Sequence, residues 1–215
     1  MVDSPAGADL GPFAVGAQVG SLVRLEPLAR SHVAALAAAA GGDRSTYTYT
    51  RVPAGVDDTS RYVDQLLDER RSGLCVPFVQ VRLADDRVVG ATRFMTLRSV
   101  APGATPFAVE IGGTWISHSA QRSGVNTEAK LLLLDFAFGD WNVARVDLKT
   151  DARNRRSWTA IQRIGATCEG VLRQWQPSLV VGEEDVYRDS AMFSLVREEW
   201  PERRCHLVAL IEEAR

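Results

Sequence analysis

Apolar and polar residues alternate along several short stretches of the chain, and this period of two predicts strands. The first stretch, residues 21–26, stops at Pro27, which cannot donate to a sheet ladder. Two more stretches, 76–83 and 88–97, flank a short polar turn and therefore predict an antiparallel hairpin. Four further strands are predicted at 107–116, 145–150, 166–175 and 187–196.

Helical signals separate these strands. Gly41-Gly42 closes an alanine-rich helix, and capping residues open the next helix at 57. A run of leucines at 131–134 predicts a helix that is buried on most sides. Asn154 is placed to cap a fourth helix, and Pro201 suits the first turn of a fifth. The predicted helices are 32–40, 57–71, 125–138, 154–164 and 198–215.

Together these elements predict an α/β (α+β) fold, a mixed sheet of about seven strands with helices on both faces. A chain of 215 residues is long enough for one well-buried domain and short for two. Residues 1–20 contain acidic residues but no lysine or arginine, so they lack the positive segment of a secretory signal. We expect them to form a disordered or loosely packed lead.

Composition narrows the functional classes. An apolar fraction of 46% with 24% charged residues is typical of a globular protein, and no apolar window of about 18 residues could span a bilayer. The net charge of −2, with mixed signs, provides no basic stripe for nucleic acid. The three cysteines are widely spaced and form no C-x-x-C pair, which favours neither a disulfide framework nor a zinc site. We therefore expect no metal, no membrane and a cytoplasmic location.

The turn between the strand at 107–116 and the leucine-rich helix is the most informative segment. It reads Gln121-Arg122-Ser123-Gly124-Val125-Asn126-Thr127. A turn of this kind presents several backbone N–H groups at the positive end of a helix, which suits a phosphate. Gly124 would let the phosphate approach the backbone closely. The dinucleotide-binding pattern G-x-G-x-x-G is absent, and no Gly-Lys-Ser/Thr follows as in a P-loop.

Four motifs occur in a characteristic order. They are Val109-Glu110-Ile111-Gly112 running to Trp115-Ile116, the turn 121–126, Asn154-Arg155-Arg156-Ser157 followed by Ile164-Gly165-Ala166, and Glu199-Trp200-Pro201. With them the chain resembles the GCN5-related N-acetyltransferases (GNAT), in the branch of the ribosomal-protein N-terminal acetyltransferases (RimJ/RimL-like). Asn126 stands where that family usually has glycine or alanine, yet asparagine tolerates left-handed backbone and can donate to a phosphate.

The resemblance implies an N-acetyltransferase domain over residues 21–201, with a C-terminal helix at 202–215 packed on it. It also implies a mostly antiparallel sheet splayed at its middle for acetyl-coenzyme A. The acetyl group would pass by direct attack, in a ternary complex, to the primary amine of a protein N-terminus or a small molecule. A homodimer is compatible with the family.

The resemblance also assigns donor-binding residues. The turn residues Gln121 to Thr127 would hold the diphosphate of coenzyme A. The strand end Trp115-Ile116-Ser117 would pair with the amides of the pantetheine arm, as an added strand does. A backbone N–H near Trp115 or Ile116 would stabilise the oxyanion. Asn154 would hydrogen-bond the pantetheine, cap its helix, or do both.

Two side chains are candidates for the chemistry. Ser157 would protonate or hydrogen-bond the leaving thiolate, or it simply satisfies the first turn of its helix. Glu110, an acid within an apolar strand, is the candidate base, acting through water; otherwise it is an exposed strand residue or the salt-bridge partner of Arg93. His118 is a second candidate base, although a loop histidine is more often a surface residue.

The acceptor side rests on weaker signals. Tyr47, Tyr49 and Arg51 would line the acceptor pocket or pack their own loop, and Trp175 would cover the site or fill the core. Acceptor specificity is expected in the loops 43–55, 100–106 and 176–185. A non-catalytic acyl-coenzyme A sensor is the alternative function, but a sensor has no need of the acid and base offered by Ser157 and Glu110.

Overall fold

The computed structural model describes residues 13–214 and contains an open sheet with the strand order β1-β2-β3-β4-β5-β6-β8-β7. Its strands are β1 (Gln18–Val19), β2 (Val23–Pro27), β3 (Cys75–Arg82), β4 (Arg87–Arg98), β5 (Ala108–Ile116), β6 (Arg145–Asp151), β7 (Thr167–Pro177) and β8 (Tyr187–Val196). Its helices are α1 (Val33–Ala40), α2 (Gly55–Arg71), α3 (Val125–Gly139), α4 (Arg155–Arg163) and α5 (Trp200–Glu212).

Neighbouring strands pair antiparallel everywhere in the described sheet except between β5 and β6, which are parallel. The β5–β6 ladder extends only from the pair Ala108 and Arg145 to the pair Glu110 and Asp147. Beyond Glu110 the described strands share no further register, so the sheet opens between residues 111–116 of β5 and 148–151 of β6. The predicted mixed, mostly antiparallel sheet is confirmed.

The core occupies both faces of the sheet. On β3, Phe78 packs into the cluster that contains Leu133 of α3, whereas the adjacent Val79 packs with Val63 of α2. This alternation follows from the pleat, which sends successive side chains to opposite faces. Helices α3, α4 and α5 therefore lie on one face and α1 and α2 on the other, which confirms the prediction of helices on both faces.

The segment before β2 differs from the prediction. Val15 is only 2% exposed, and the ring of Phe13 packs edge-on against Trp141 at a centroid distance of 6.2 Å. Gln18–Val19 pairs with β2 and adds an eighth strand to the expected seven. Residues 13–20 are thus an ordered part of the domain, and two strand residues are too few to show a period of two. The rest of the predicted lead, residues 1–12, lies outside the described residues.

The C-terminal helix begins at Trp200, inside the limits predicted for the main domain, and Pro201 occupies its first turn. Trp200 stacks on Phe138 of α3 at 5.4 Å, and Leu207 is fully buried. The helix is therefore part of the same core. Within residues 13–214, no helix is both long and apolar enough to cross a membrane.

A buried carboxylate fastens the start of β2 to the first turn of α3. Glu128 accepts hydrogen bonds from the N–H and hydroxyl of Ser21 at 2.9 and 2.6 Å, and from the N–H groups of Leu22 and Val23 at 2.6 and 2.8 Å. A Cβ on Gly20 would lie 2.3 Å from this carboxylate, so only glycine fits. Burial raises the pKa of Glu128, but the four hydrogen bonds outweigh it and lower the pKa below its ordinary value.

Replacing Glu128 with glutamine should destabilise the fold in a pH-dependent way. An amide cannot accept all four hydrogen bonds, and lost bonds to a charged group cost about 2–3 kcal/mol, which corresponds to a melting temperature roughly 5–10 °C lower at pH 7. Because the folded-state pKa is depressed, the contribution of Glu128 is complete above its ordinary pKa of 4.5 and is lost as the pH falls through the lower folded value.

Thermal denaturation from pH 7 to pH 3 measures this dependence. The gap between wild type and Glu128→Gln should narrow below about pH 4.5, and a gap that does not change with pH would contradict the account. Glu202→Gln is the matched control, because the side chain of Glu202 is 81% exposed.

Candidate active site

A cleft of about 1460 Å³ opens where β5 and β6 separate. Its walls include Thr127 and Lys130 of α3 on one face of the sheet and Tyr62 of α2 on the other, so it passes through the sheet. Most residues predicted from the sequence line this one cleft. They are Tyr47, Tyr49, Arg51, Glu110, Trp115, Ile116, Gln121, Arg122, Ser123, Gly124, Asn126, Thr127, Asn154 and Ser157.

Two predicted donor-binding residues do not line the cleft. The N–H of Ser117 donates to the Val89 carbonyl at 2.6 Å, and its hydroxyl lies 3.2 Å from that of Ser119. The pairing of β5 with β4 therefore continues to Ser117 and occupies its N–H, which is not available to a ligand in the cleft. The side chain of Val125 is 2% exposed and packs in the core, which leaves only its backbone for binding.

The turn before α3 leaves its amides available. Gly124 has φ 76° and Arg122 has φ 61°, both left-handed. A Cβ on Gly124 would lie 2.8 Å from Leu22 Cδ1 and 3.1 Å from Ala214 Cβ. Among the described residues, no acceptor pairs with the N–H groups of residues 122–127, and the next amide, that of Glu128, begins the helical ladder. Six consecutive donors at a helix N-terminus are suited to an anion.

Asn126 departs from the glycine or alanine that the resemblance leads one to expect. Its Oδ1 is buried and has no hydrogen-bond donor in the described structure. The residue itself lines the cleft beside Thr127. The longer side chain is thus accommodated at the start of α3 without closing the turn.

Four arginines, one in the turn and three on α4, line the cleft. They are Arg122, Arg155, Arg156 and Arg163, and within residues 13–214 none has a carboxylate within 4 Å. Arg156 donates to the side chain of Gln121 at 2.7 Å, and Arg163 donates to Thr127 Oγ1 at 3.3 Å. This end of the cleft therefore carries unpaired positive charge, which suits a ligand with several phosphates.

Sequence reasoning did not identify the charge role of these arginines. Arg155 and Arg156 belong to the motif that was recognised for Asn154 and Ser157. Their meeting with Arg122 depends on α4 packing beside the turn, which no local pattern encodes. The adjacent pair Arg155-Arg156, with Arg163 two helical turns after Arg156, was the available signal.

Sequence reasoning also missed Lys130, a buried lysine on α3. It is 6% exposed, and its ammonium donates to the hydroxyl of Thr114 at 2.6 Å and to that of Thr92 at 3.5 Å. Burial lowers the pKa of Lys130 to about 7. The lysine thereby connects α3 to Thr114 of β5. Thr114 follows Gly113, which has a φ of 57° and lies where the β4–β5 pairing is irregular.

Glu110 occupies the last paired position before β5 and β6 separate, and it is 5% exposed. Its Oε2 accepts from the ammonium of Lys149 and from the hydroxyl of Thr96, both at 3.3 Å. Its Oε1 has no protein donor among the described residues. The alternative pairing of Glu110 with Arg93 is not found, because Arg93 lies 3.6 Å from Glu69 instead.

Asn154 and Ser157 open α4 as predicted. Asn154 Oδ1 accepts from the N–H of Ser157 at 3.1 Å and so caps the helix. In the part of the chain that the structure describes, the Asn154 Nδ2 and the Ser157 hydroxyl have no protein partner. Both groups line the cleft and are free to contact a ligand.

The loop 43–54 is fastened to β5 by its tyrosine. The Tyr47 hydroxyl donates to the Ile116 carbonyl at 3.1 Å, and its ring packs edge-on against Trp115 at 6.3 Å. Burial raises the pKa of Tyr47. Arg153 lies 5.2 Å above the ring of Tyr49. The two predicted roles of these tyrosines, lining the cleft and packing the loop, therefore coexist.

Three other predicted side chains are more peripheral. Arg51 is more than half exposed and lies 3.7 Å from Asp58. His118 lines the cleft 3.7 Å from Asp43, with its side chain 55% exposed. Trp175 is 53% exposed and lies outside the cleft, so it neither fills the core nor covers the site. Among the described residues, no group of three or more His, Cys, Asp or Glu could hold a metal ion.

Known proteins resemble the chain in sequence and in fold. Residues 23–167 match the family described as the acetyltransferase (GNAT) domain. No curated protein sequence matches the chain. A GCN5-related N-acetyltransferase from Brucella melitensis superimposes with a TM-score of 0.78 at 26% identity, over 91% of this chain and 85% of that one.

Two other solved structures share the fold at lower identity. RimJ from Mycobacterium smegmatis, in complex with CoA-disulfide, has a TM-score of 0.72 and 23% identity, over 90% of this chain and 91% of that one. The ribosomal-protein-S5-alanine acetyltransferase from Vibrio fischeri has a TM-score of 0.66 and 16% identity, over 86% and 98% of the respective chains.

Proposed function

The chain belongs to the GNAT family of acetyltransferases, and on that premise we propose that it transfers an acetyl group from acetyl-coenzyme A to a primary amine within a ternary complex. One observation carries the proposal. The opening between β5 and β6 joins a cluster of unpaired amides and arginines on one face of the sheet to the carboxylate of Glu110 at the point of separation.

The residues present fit the phosphates of coenzyme A. The N–H groups of 122–127 and the dipole of α3 would hold the diphosphate. Arg122 and Arg163 would neutralise its charge, with Arg155 and Arg156 close by to receive the remaining phosphate. Gly124 permits the close approach because it has no side chain and accepts φ 76°.

The edge of β5 that faces β6 is open from residue 111 onward, because the ladder ends at Glu110. Backbone groups on an open edge can pair with the amides of a pantetheine arm. A backbone N–H near Trp115 or Ile116 would then hydrogen-bond the acetyl oxygen. The Ile116 carbonyl is already occupied by Tyr47, which fixes the position of this strand end.

Two side chains would handle the protons. Acetyl-coenzyme A supplies a thioester, whose carbonyl a neutral amine can attack. Glu110 would take the amine proton on its unoccupied Oε1, directly or through water, while Lys149 holds Oε2. The free hydroxyl of Ser157 would donate to the sulfur as it leaves.

The acceptor would enter from the face of α1 and α2, where Tyr49 and Arg51 line the cleft. The motifs of the RimJ/RimL-like branch favour the amine of a protein N-terminus or of a small molecule. The fold shared with the Vibrio fischeri S5-alanine acetyltransferase is consistent with the first of these.

Thiol release tests the proposal. Purified protein is incubated with acetyl-coenzyme A and a panel of N-terminal peptides and small amines. Free thiol is titrated, and acetylated products are identified by mass spectrometry. We expect acceptor-dependent release with at least one amine. Tight binding of acetyl-coenzyme A without acceptor-dependent release would indicate a non-catalytic sensor instead.

Gly124→Val should weaken acetyl-coenzyme A binding at least tenfold, which corresponds to about 1.4 kcal/mol. Valine is strained at positive φ, and its side chain would meet Leu22. Isothermal titration calorimetry measures the effect, with circular dichroism to confirm folding. Gly139→Val, at the other end of α3 where a Cβ has open space, is the control. Wild-type affinity in Gly124→Val would rule out the turn as the diphosphate site.

Ser157→Ala should lower kcat by about 10- to 100-fold and leave the dissociation constant of acetyl-coenzyme A within about twofold, because only proton donation to the sulfur is lost. The N-cap survives, since it uses the backbone N–H of residue 157. Steady-state thiol release and calorimetry separate the two effects. If kcat is unchanged, Ser157 serves only the first turn of α4.

A further inference from the structure

Arg188, at the start of β8, is a buried arginine without a direct partner. The residue is only 7% exposed, and its Nε is fully buried with no acceptor. Among the described residues, its guanidinium forms no hydrogen bond and no ion pair within 4 Å. Asp151 and Glu110 act on it only electrostatically, from a greater distance.

The arginines at the two ends of β6 are paired with carboxylates. Arg153 contacts Asp151 at 2.8 Å and Glu183 at 2.9 Å. Arg145 is hydrogen-bonded to both Asp147 and Glu169. Burial without such a partner disfavours the charged guanidinium, and burial is the main cause that lowers the pKa of Arg188. Arg188 thus differs from Arg145 and Arg153, because it is buried and has no carboxylate in direct contact.

The position of Arg188 connects it to the proposed chemistry. On β8, Ala191, Phe193 and Leu195 pack toward α3, so the even-numbered residues of that strand face the opposite side of the sheet. Lys149 also faces that side, since Leu148 packs toward α3, and Lys149 contacts Glu110. Arg188 and Glu110 both line the cleft. The unpaired guanidinium and the candidate base therefore lie on the acceptor side of the sheet.

We propose that Arg188 receives a carboxylate of the acceptor, so that the substrate is an amine that also carries an acidic group. This inference rests on the proposed acetyl transfer and adds the substrate class. A carboxylate would give the fork of the guanidinium the two parallel hydrogen bonds that no protein group supplies. Arg188 would orient the acceptor with its amine toward Glu110, and would thereby act as a specificity-determining residue.

The acidic group could belong to a small amino acid or to an acidic side chain near a peptide N-terminus. Two matched pairs of acceptors distinguish these sources. The small pair is 4-aminobutanoate and 4-aminobutanamide, and the peptide pair is Ser-Glu-Ala-amide and Ser-Gln-Ala-amide. Within each pair only a carboxylate is exchanged for a carboxamide, and kcat/KM is measured by thiol release.

We expect wild type to prefer the carboxylate in at least one pair by tenfold or more. Arg188→Met should reduce that preference to within twofold, chiefly by lowering kcat/KM for the carboxylate member. Arg173→Met is the control, because Arg173 is an exposed residue of the adjacent strand β7 outside the cleft. It should keep the full preference. Equal rates for both members of both pairs in wild type would overturn the proposal.

A binding measurement separates this proposal from the proposed function. With coenzyme A present, the acetylated product 4-acetamidobutanoate or acetyl-Ser-Glu-Ala-amide should raise the melting temperature of wild type, and its amide counterpart should not. The rise should vanish in Arg188→Met. If no amine releases thiol but this difference persists, acetyl transfer fails and the carboxylate site stands. If thiol is released but no product pair shows a difference, the carboxylate site is wrong.

Folding of the variant provides a further check. Removing a buried charge that has no direct partner should leave the melting temperature of Arg188→Met equal to that of wild type or higher. A large drop would mean that the guanidinium supports the fold and is not reserved for a ligand.

Discussion

The short ladder between β5 and β6 is the constraint on which the rest of the structure depends. The two parallel strands pair at three residue positions, 108–110 with 145–147, and then separate. The sheet is therefore continuous at this end of the two strands and open at the other. The antiparallel ladder with β4 holds the other edge of β5, and contacts from a loop and from α3 fix the strand further. Tyr47 holds the Ile116 carbonyl, and Lys130 holds the Thr114 hydroxyl. The cleft therefore exists because the edge of β5 that faces β6 is unpaired beyond Glu110, while the edge that faces β4 is hydrogen-bonded.

Charge is distributed unequally along this opening. At the end of the cleft near α3 and α4, the backbone N–H groups of 122–127 have no acceptor and the four arginines have no carboxylate partner among the described residues. This end of the cleft can therefore bind a polyanion. Toward the acceptor side most cations are paired, as Lys149 is with Glu110 and Arg153 with Asp151. Arg188 departs from this pattern. The phosphates of the donor would bind the unpaired arginines and amides near α3 and α4. The acidic group of the acceptor would bind the unpaired guanidinium of Arg188.

Much of the architecture could be predicted from the sequence, because strands, helices and caps are encoded locally. The hairpin of β3 and β4, the N-cap at Asn154 and the turn at Gly124 follow from patterns of a few residues. The rest depends on contacts between distant segments. Strand β1 is too short to show a period of two, and Lys130 lies within an apolar helical run that gives no sign of its contacts. That Arg188 has no carboxylate partner is visible only once the residues around it in the fold are known.

A crystal structure of the protein with coenzyme A tests the central claim most directly, since it locates the diphosphate relative to the turn before α3. The account predicts diphosphate oxygens about 3 Å from at least two of the N–H groups of residues 122–127, which is hydrogen-bond distance, with the pantetheine arm along the open edge of β5. A diphosphate bound elsewhere, or amides of this turn hydrogen-bonded to the protein in that complex, would contradict it.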